Sequence, residues 1–163
     1  MERKHVVVYT AGICEQDPGP GGWSCVLLFG EHRKEMNGSL PDTTRMGIAL
    51  FAAISALGAL KMGCEVELYT PSPAVVKAFE TDAFERWKRA MWKQPDGRDI
   101  PNRDLWFILS TQARKHELHV RLLQNAPSQE DRTRCDELAK EALGDWRTIN
   151  SPHDEDGELM ADP

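Results

Sequence analysis

The chain has 163 residues, 40% of them hydrophobic and 28% charged. That suffices for one domain with a real core and excludes a collagen-like, low-complexity or wholly disordered polymer. A formal charge of −6 argues against a polyanion binder held by bulk positive charge.

Met1 to His5 lead into a short Val run with no long apolar core and no small-residue cleavage site, so no signal peptide is expected. His5–Thr10 is β-branched, stops at Ala11-Gly12 and predicts a strand. Pro18-Gly-Pro-Gly-Gly22 carries the strongest turn signal in the chain. Trp23–Phe29 and Arg33–Leu40, joined tightly at Gly30, complete an antiparallel meander of three strands. Pro41-Asp-Thr-Thr44 supplies cap residues for an apolar helix running to about Met62. Its longest apolar run, Ile48–Leu60, falls short of the roughly 17–25 residues that a membrane span needs, so it reads as a core helix and no membrane partner is expected. Glu65–Thr70 alternates and predicts a strand parallel to the first.

Ser72 as N-cap with Pro73 at the first helical position starts another helix. Ala83–Trp92 predicts a further short helix, and Asp96-Gly97 a loop. Asn102–His116 reads as helical, with Arg114, Lys115 and His116 in its last turn, where cations favour the dipole. Leu118–Leu123 predicts the fifth strand, Asn125–Glu130 a loop, and Thr133–Leu143 a final helix ended by Gly144. From Arg147 onward no apolar period remains, and the acids Asp154, Glu155, Asp156, Glu158 and Asp162 dominate. The expected organisation is a domain over residues 1–146 and an acidic, disordered tail over 147–163. The fold class is α/β, a five-stranded mixed sheet flanked by helices. Cys14, Cys25, Cys64 and Cys135 are far apart, with no Cys-x-x-Cys pair and no His at zinc-finger spacing, which predicts buried free thiols and a cytoplasmic protein.

The local strings, in order, are Val-Val-Tyr-Thr-x-Gly at 7–12, Pro18 to Trp23, Gly30 to Glu35, Ala52-Ala-Ile54, Leu68-Tyr-Thr70, Trp87-Lys-Arg89 with Trp92-Lys93, Asn102 to Trp106, and Arg134-Cys-Asp-Glu-Leu-Ala139. Together they resemble ribonuclease H of the bacterial type (ribonuclease HI-like) over residues 5 to about 144. The resemblance implies the ribonuclease H-like sheet and hydrolysis of the RNA strand of an RNA–DNA hybrid. Members use two divalent metals, Mg²⁺ or Mn²⁺, held by four side-chain carboxylates.

Carried over residue by residue, three of those carboxylate positions hold other residues. The first is Ala11. The second is Ala49, or Gly47 if Arg45-Met46 sets the register. The third is Pro71. The fourth is retained as Asp136, which also has a bland account as an acid in the first turn of a helix. In the loop before the last helix, Ala126 stands where relatives carry a histidine that assists catalysis or product release. Glu130 and Asp131 suggest a relocated metal site, though clustered acids on a loop are usually only solvated. Metal is therefore not expected as a cofactor.

Arg86, Lys88, Arg89, Lys93, Arg98 and Arg103 stand against Asp96 and Asp99 with Trp87 and Trp92 interleaved. In the family this region is a basic protrusion gripping the hybrid's DNA strand; the plain alternative is a solvated helix whose tryptophans belong to the core. Thr44 falls at a phosphate-binding threonine of the family, with helix capping as the equal alternative. Arg45 and Met46 replace the family's two asparagines, and Arg45 has the length to reach a phosphate. The resulting expectation is a catalytically inactive ribonuclease H-like protein that binds RNA–DNA hybrid or other duplex without cutting it. The alternatives are a protein-interaction module with a protein partner, or a weak nuclease with a rebuilt site.

Overall fold

The computed structural model describes residues 3–150. In the first strand, β1 (Lys4–Ile13), Val6 and Val8 face one side and Tyr9 and Ala11 the other, and all are buried. A strand buried on both faces belongs in the middle of a sheet. β1 lies there, antiparallel to β2 (Gly19–Phe29) and parallel to β4 (Cys64–Thr70). β3 (His32–Thr43) and β5 (Glu117–Leu122) form the edges of the order β3-β2-β1-β4-β5. The expected five-stranded mixed sheet flanked by helices is what forms.

One face is covered by α1 (Arg45–Gly58), whose Ile48, Leu50, Ala52, Ala53, Ala56 and Leu57 are all buried. This helix is apolar nearly all round because it lies between the sheet and α4 (Arg103–Ala113). Beside it, α2 (Pro73–Glu80) and α3 (Ala83–Arg89) share an aromatic cluster with α4, in which Phe84 and Trp87 pack on Trp106 at 5.9 and 5.0 Å between ring centres. The opposite face carries α5 (Gln129–Asn150), whose Cys135, Leu138 and Ala139 pack on Tyr9, Ala11, Val26 and Tyr69.

Several boundaries differ from expectation, each for a physical reason. The Gly-Pro-Gly-Gly run is strand, not turn: residues 19–22 open β2. The glycines serve close approach, since a Cβ on Gly22 would fall 2.2 Å from the Ala139 carbonyl oxygen of α5. α1 stops at Gly58 rather than Met62, with Ala59 and Leu60 donating back into its last turn. α3 stops at Arg89, because Met91 and Trp92 take left-handed φ values of 56° and 60° that swing Trp92 inward. α4 stops at Ala113, so Arg114, Lys115 and His116 do not form its last turn. His116 is buried and its Nδ1 accepts a hydrogen bond from the Cys64 N–H at 3.1 Å, which fixes it as a neutral acceptor. α5 runs straight through Gly144 to Asn150, where Arg147 pairs with Glu15 across to the end of β1 at 3.1 Å. Residues 147–150, expected in the tail, are thus helical; the rest of that segment, 151–163, lies outside the described residues.

Gly22→Ala should lower unfolding stability by about 3 kcal/mol or more, because the obstructing atom is helix backbone and cannot rotate away. Gly144→Ala, with open space around its Cβ, should instead raise stability by about 0.5–1 kcal/mol. Urea melts of both variants test the pair of signs. His116 supplies a pH test. Burial, then Arg3 and Lys115, push its pKa below the ordinary value. As pH falls the unfolded chain therefore takes up the proton first. The stability due to this group is full above the ordinary histidine pKa and drains away as pH drops from there through the native value. His116→Gln should flatten the stability slope below about pH 6.5.

Candidate functional site

A cleft of about 520 Å³ opens at the carboxyl ends of β1 and β4, where α1 and α2 begin. Its walls are Gly12 to Glu15, Arg45, Met46, Ala49, Pro71, Ser72 and Pro73. The sheet puts these segments together: β1 and β4 are parallel neighbours, so the residues following both strands emerge on the same edge. Thr10 Oγ1 ties the two by donating to the Tyr69 carbonyl at 2.8 Å. α1 approaches closely because a Cβ at Gly12 would sit 2.9 Å from the Ile48 side chain.

Two of the expected carboxylate positions, Ala49 and Pro71, therefore border one cleft. Ala11 lies on the other face of β1, 1% exposed, among Tyr9, Tyr69 and Cys135. Asp136 is exposed on α5 and is not part of the cleft wall. Because α5 begins at Gln129, Asp136 lies two turns inside it, so the first-turn account of this acid is overturned; Glu130 and Asp131 hold that place. The remaining polar groups of the cleft are engaged. Ser72 Oγ caps α2 by accepting from the Val75 N–H, and donates to Met46 Sδ at 3.8 Å. The Cys14 thiol is held up in pKa by burial and then by Asp17, and donates to the Gln16 carbonyl at 2.9 Å. A protonated, buried thiol is neither a nucleophile nor a metal ligand.

Thr44 caps α1, its Oγ1 accepting from the Gly47 N–H at 2.9 Å. The Arg45 guanidinium donates to the carbonyls of Cys14 and Glu15 at 3.3 and 3.5 Å, bridging the start of α1 to the end of β1. Ala126 follows the 3₁₀ turn Leu123–Asn125 and packs against the Tyr9 cluster. The loop is held there by the Ser128 N–H donating to the Tyr9 hydroxyl at 3.3 Å.

Asp131 is paired with Arg33, which also clasps Glu35. Arg134 completes this network at 3.1 Å and, with Arg33, holds the Glu35 carboxyl below the usual range. With its charge compensated, Asp131 does not offer a relocated cation site. Arg33, Glu35, Arg134 and the buried Ser24, which donates to the Cys135 carbonyl, escaped the sequence reading. Alternation puts Arg33 and Glu35 on one strand face, yet nothing local shows which helix face meets them.

In the basic region, Arg86 pairs with Asp82 at 2.9 Å, Lys93 with Asp99 at 2.7 Å, and Arg98 with Asp96 at 2.7 Å. Lys88 and Arg89 are exposed with no acidic partner among the described residues. Trp92 is 9% exposed and packs on Trp87 and Phe107. It is a core residue and presents no face for a base to stack on, which corrects its place among the binding candidates.

Comparison with known proteins agrees with this fold. The RNase H family model matches residues 3–144. The chain is 41% identical to a ribonuclease H of Symbiobacterium thermophilum, over 86% of this chain and 95% of that one. It is 42% identical to a ribonuclease H of Hahella chejuensis, over 87% and 98%. Among solved structures it superposes on LC9-RNase H1, a type 1 RNase H with the type 2 active-site motif, at a TM-score of 0.76 and 23% identity over 89% of this chain and 74% of that one. LC11-RNase H1 in complex with RNA/DNA hybrid superposes at 0.58 with 20% identity, over 86% and 98%.

The donor set of the cleft generates a direct test. A site holding Mg²⁺ at 100 times its dissociation constant would add about 2.7 kcal/mol to stability. With Ala49 and Pro71 in the cleft wall, millimolar Mg²⁺ should leave the melting temperature unchanged; a rise of several degrees would mean the cation is held there after all.

Proposed function

From the premise that this chain belongs to the ribonuclease H family, we propose that it is a member that no longer hydrolyses the hybrid and binds it through the surviving surface. One observation carries the reading: Ala11, Ala49 and Pro71 stand at three of the four carboxylate positions in a fold otherwise matched from residue 3 to 144. When bound, the family's metals activate the attacking water and stabilise the leaving oxygen. Magnesium demands near-octahedral oxygen coordination and is anchored by carboxylates. The residues here do not fit a metal pair. Ala11, Ala49 and Pro71 offer no side-chain oxygen, Ser72 is spent on its cap, and Asp136 is one carboxylate.

What this chain's own residues supply is shape and positive charge. Lys88 and Arg89 are free to meet phosphates, which gives affinity without sequence reading. The solved relative LC11-RNase H1 holds an RNA/DNA hybrid, which makes a hybrid the first duplex to try. A second reading, a protein-interaction module, draws on Met91 and Phe107, 77% and 53% exposed beside the same region. Salt separates the two, since phosphate binding weakens with salt and apolar docking does not. We place the domain's end at Asn150, the last residue of α5. The protein is assigned to the reducing cytoplasm, in keeping with its four buried free thiols. No described helix is long and apolar enough to cross a membrane.

The unmodified protein, freed of contaminating nuclease, should leave a labelled hybrid intact in Mg²⁺ or Mn²⁺; metal-dependent cleavage would refute the reading. Hybrid binding should fall roughly tenfold or more between about 50 and 200 mM salt if two or three phosphates are contacted. Lys88→Glu with Arg89→Glu should abolish that dependence. The triple variant Ala11→Asp, Ala49→Glu and Pro71→Asp should regain Mg²⁺ binding yet cleave at least about 100-fold more slowly than an active relative. Ala126 and Met46 would still replace groups that position and protonate the substrate.

A further inference from the structure

At the opposite end of the same strands, the outer face of the sheet gathers a second set of ligating groups. Glu65 on β4 lies directly across from Glu117 on β5, and His5 on β1 directly across from Glu65 on its other side. His119, two residues beyond Glu117, returns to the same face by strand alternation. The carboxylate oxygens of Glu65 and Glu117 and a ring nitrogen of His119 all lie within 4.8 Å of one another. His5 adds a fourth ligand and second nitrogen, its Nδ1 3.8 Å from Glu65. We propose that His5, Glu65, Glu117 and His119 form a transition-metal site, with zinc(II) as the cation of best fit.

Three features of the face support this. Like charges placed opposite one another on neighbouring strands repel, yet Glu65 faces Glu117, and among the described residues both form ion pairs only with imidazoles. The third carboxylate, Glu67, is already occupied by Arg121 at 3.0 Å and lies 3.6 Å from His5. With neutral imidazoles, Glu65, Glu67 and Glu117 against Arg121 leave two negative charges, which a dication cancels. Finally, two imidazoles and two carboxylates make a borderline donor set that suits zinc in tetrahedral geometry and suits magnesium poorly. Zinc–ligand bonds of about 2.0–2.1 Å put tetrahedral ligands roughly 3.3 Å apart, so Glu65, Glu117 and His119, within 4.8 Å of one another, need close by about 1.5 Å, with His5 following through Glu65.

The site is independent of the cleft. Glu65 and Pro71 are separated by the length of β4, roughly 20 Å at about 3.3 Å per residue. Its ligands come from β1, β4 and the edge strand β5, so a bound ion would join three strands and fasten the edge.

The test uses tag-free full-length protein titrated with zinc chloride by calorimetry, and with cobalt(II) followed by visible absorption. One ion per chain is expected, with the intense absorption of tetrahedral cobalt. Glu117→Gln and His119→Ala should each weaken zinc binding about tenfold or more, while His32→Ala, on the far edge of the sheet, should not change it. Zinc should raise the melting temperature of the parent and leave that of the Glu117→Gln, His119→Ala double variant where it was. Without metal the double variant should melt no lower than the parent, since one member of a repelling pair is gone. No binding up to about 1 mM zinc, or equal binding by parent and double variant, would overturn the site.

Discussion

The structure depends on how near a helix backbone can come to a strand. α5 rests on β2 at Gly22 with no room for a side chain between them, the Ala139 carbonyl standing where a Cβ would be. That contact sets the height of α5 over the sheet. Cys135 and Ala139 are then buried at 0% exposure against Tyr9 and Val26, and Ser24 and Asn37 reach the carbonyls of Cys135 and Leu138. Burial in turn pushes the Cys135 thiol up to about 12 and keeps it inert. The network of Arg33, Glu35 and Arg134 closes only because the helix lies at that distance.

The other face is ordered by the same logic with different residues. Gly12 admits Ile48, so α1 lies flat across the centre, and its first turn meets the end of β1. Thr44 and Arg45 are then in place to cap the helix and bridge to Cys14 and Glu15. In a site where the family sets acids around cations, this chain sets an arginine on backbone carbonyls and an apolar wall of Met46, Ala49 and Pro71. The cleft owes its shape to the close approach at Gly12 and to the caps at Thr44 and Ser72.

Much of this was legible in the sequence. The alternation at Glu65–Thr70, the Ser72-Pro73 helix start and the Thr44 cap rest on local chemistry, and local chemistry governs them in the fold. The misread elements share one cause, which is that a distant partner decided them. Gly19 to Gly22 looks like a turn until α5 is laid on it. Gly144 looks like a stop, yet helix packing and the Arg147–Glu15 pair carry α5 past it. Trp92 interleaves with cations along the chain, while a left-handed turn at Met91 and Trp92 sends its ring inward. At the site, the residue types at 11, 49 and 71 were readable, but the engagement of Arg45 and Asp131 was not, because both partners come from elements far away in sequence.

The burial of Ala11 limits what position 11 can accept. A carboxylate introduced there alone would sit at 1% exposure beside two tyrosines and a thiol, with no cation to neutralise it. It would be driven toward its protonated form and would weaken the fold. The packing of α5 against β1 therefore restricts position 11 to small apolar side chains, whatever the cleft on the other face of the strand requires.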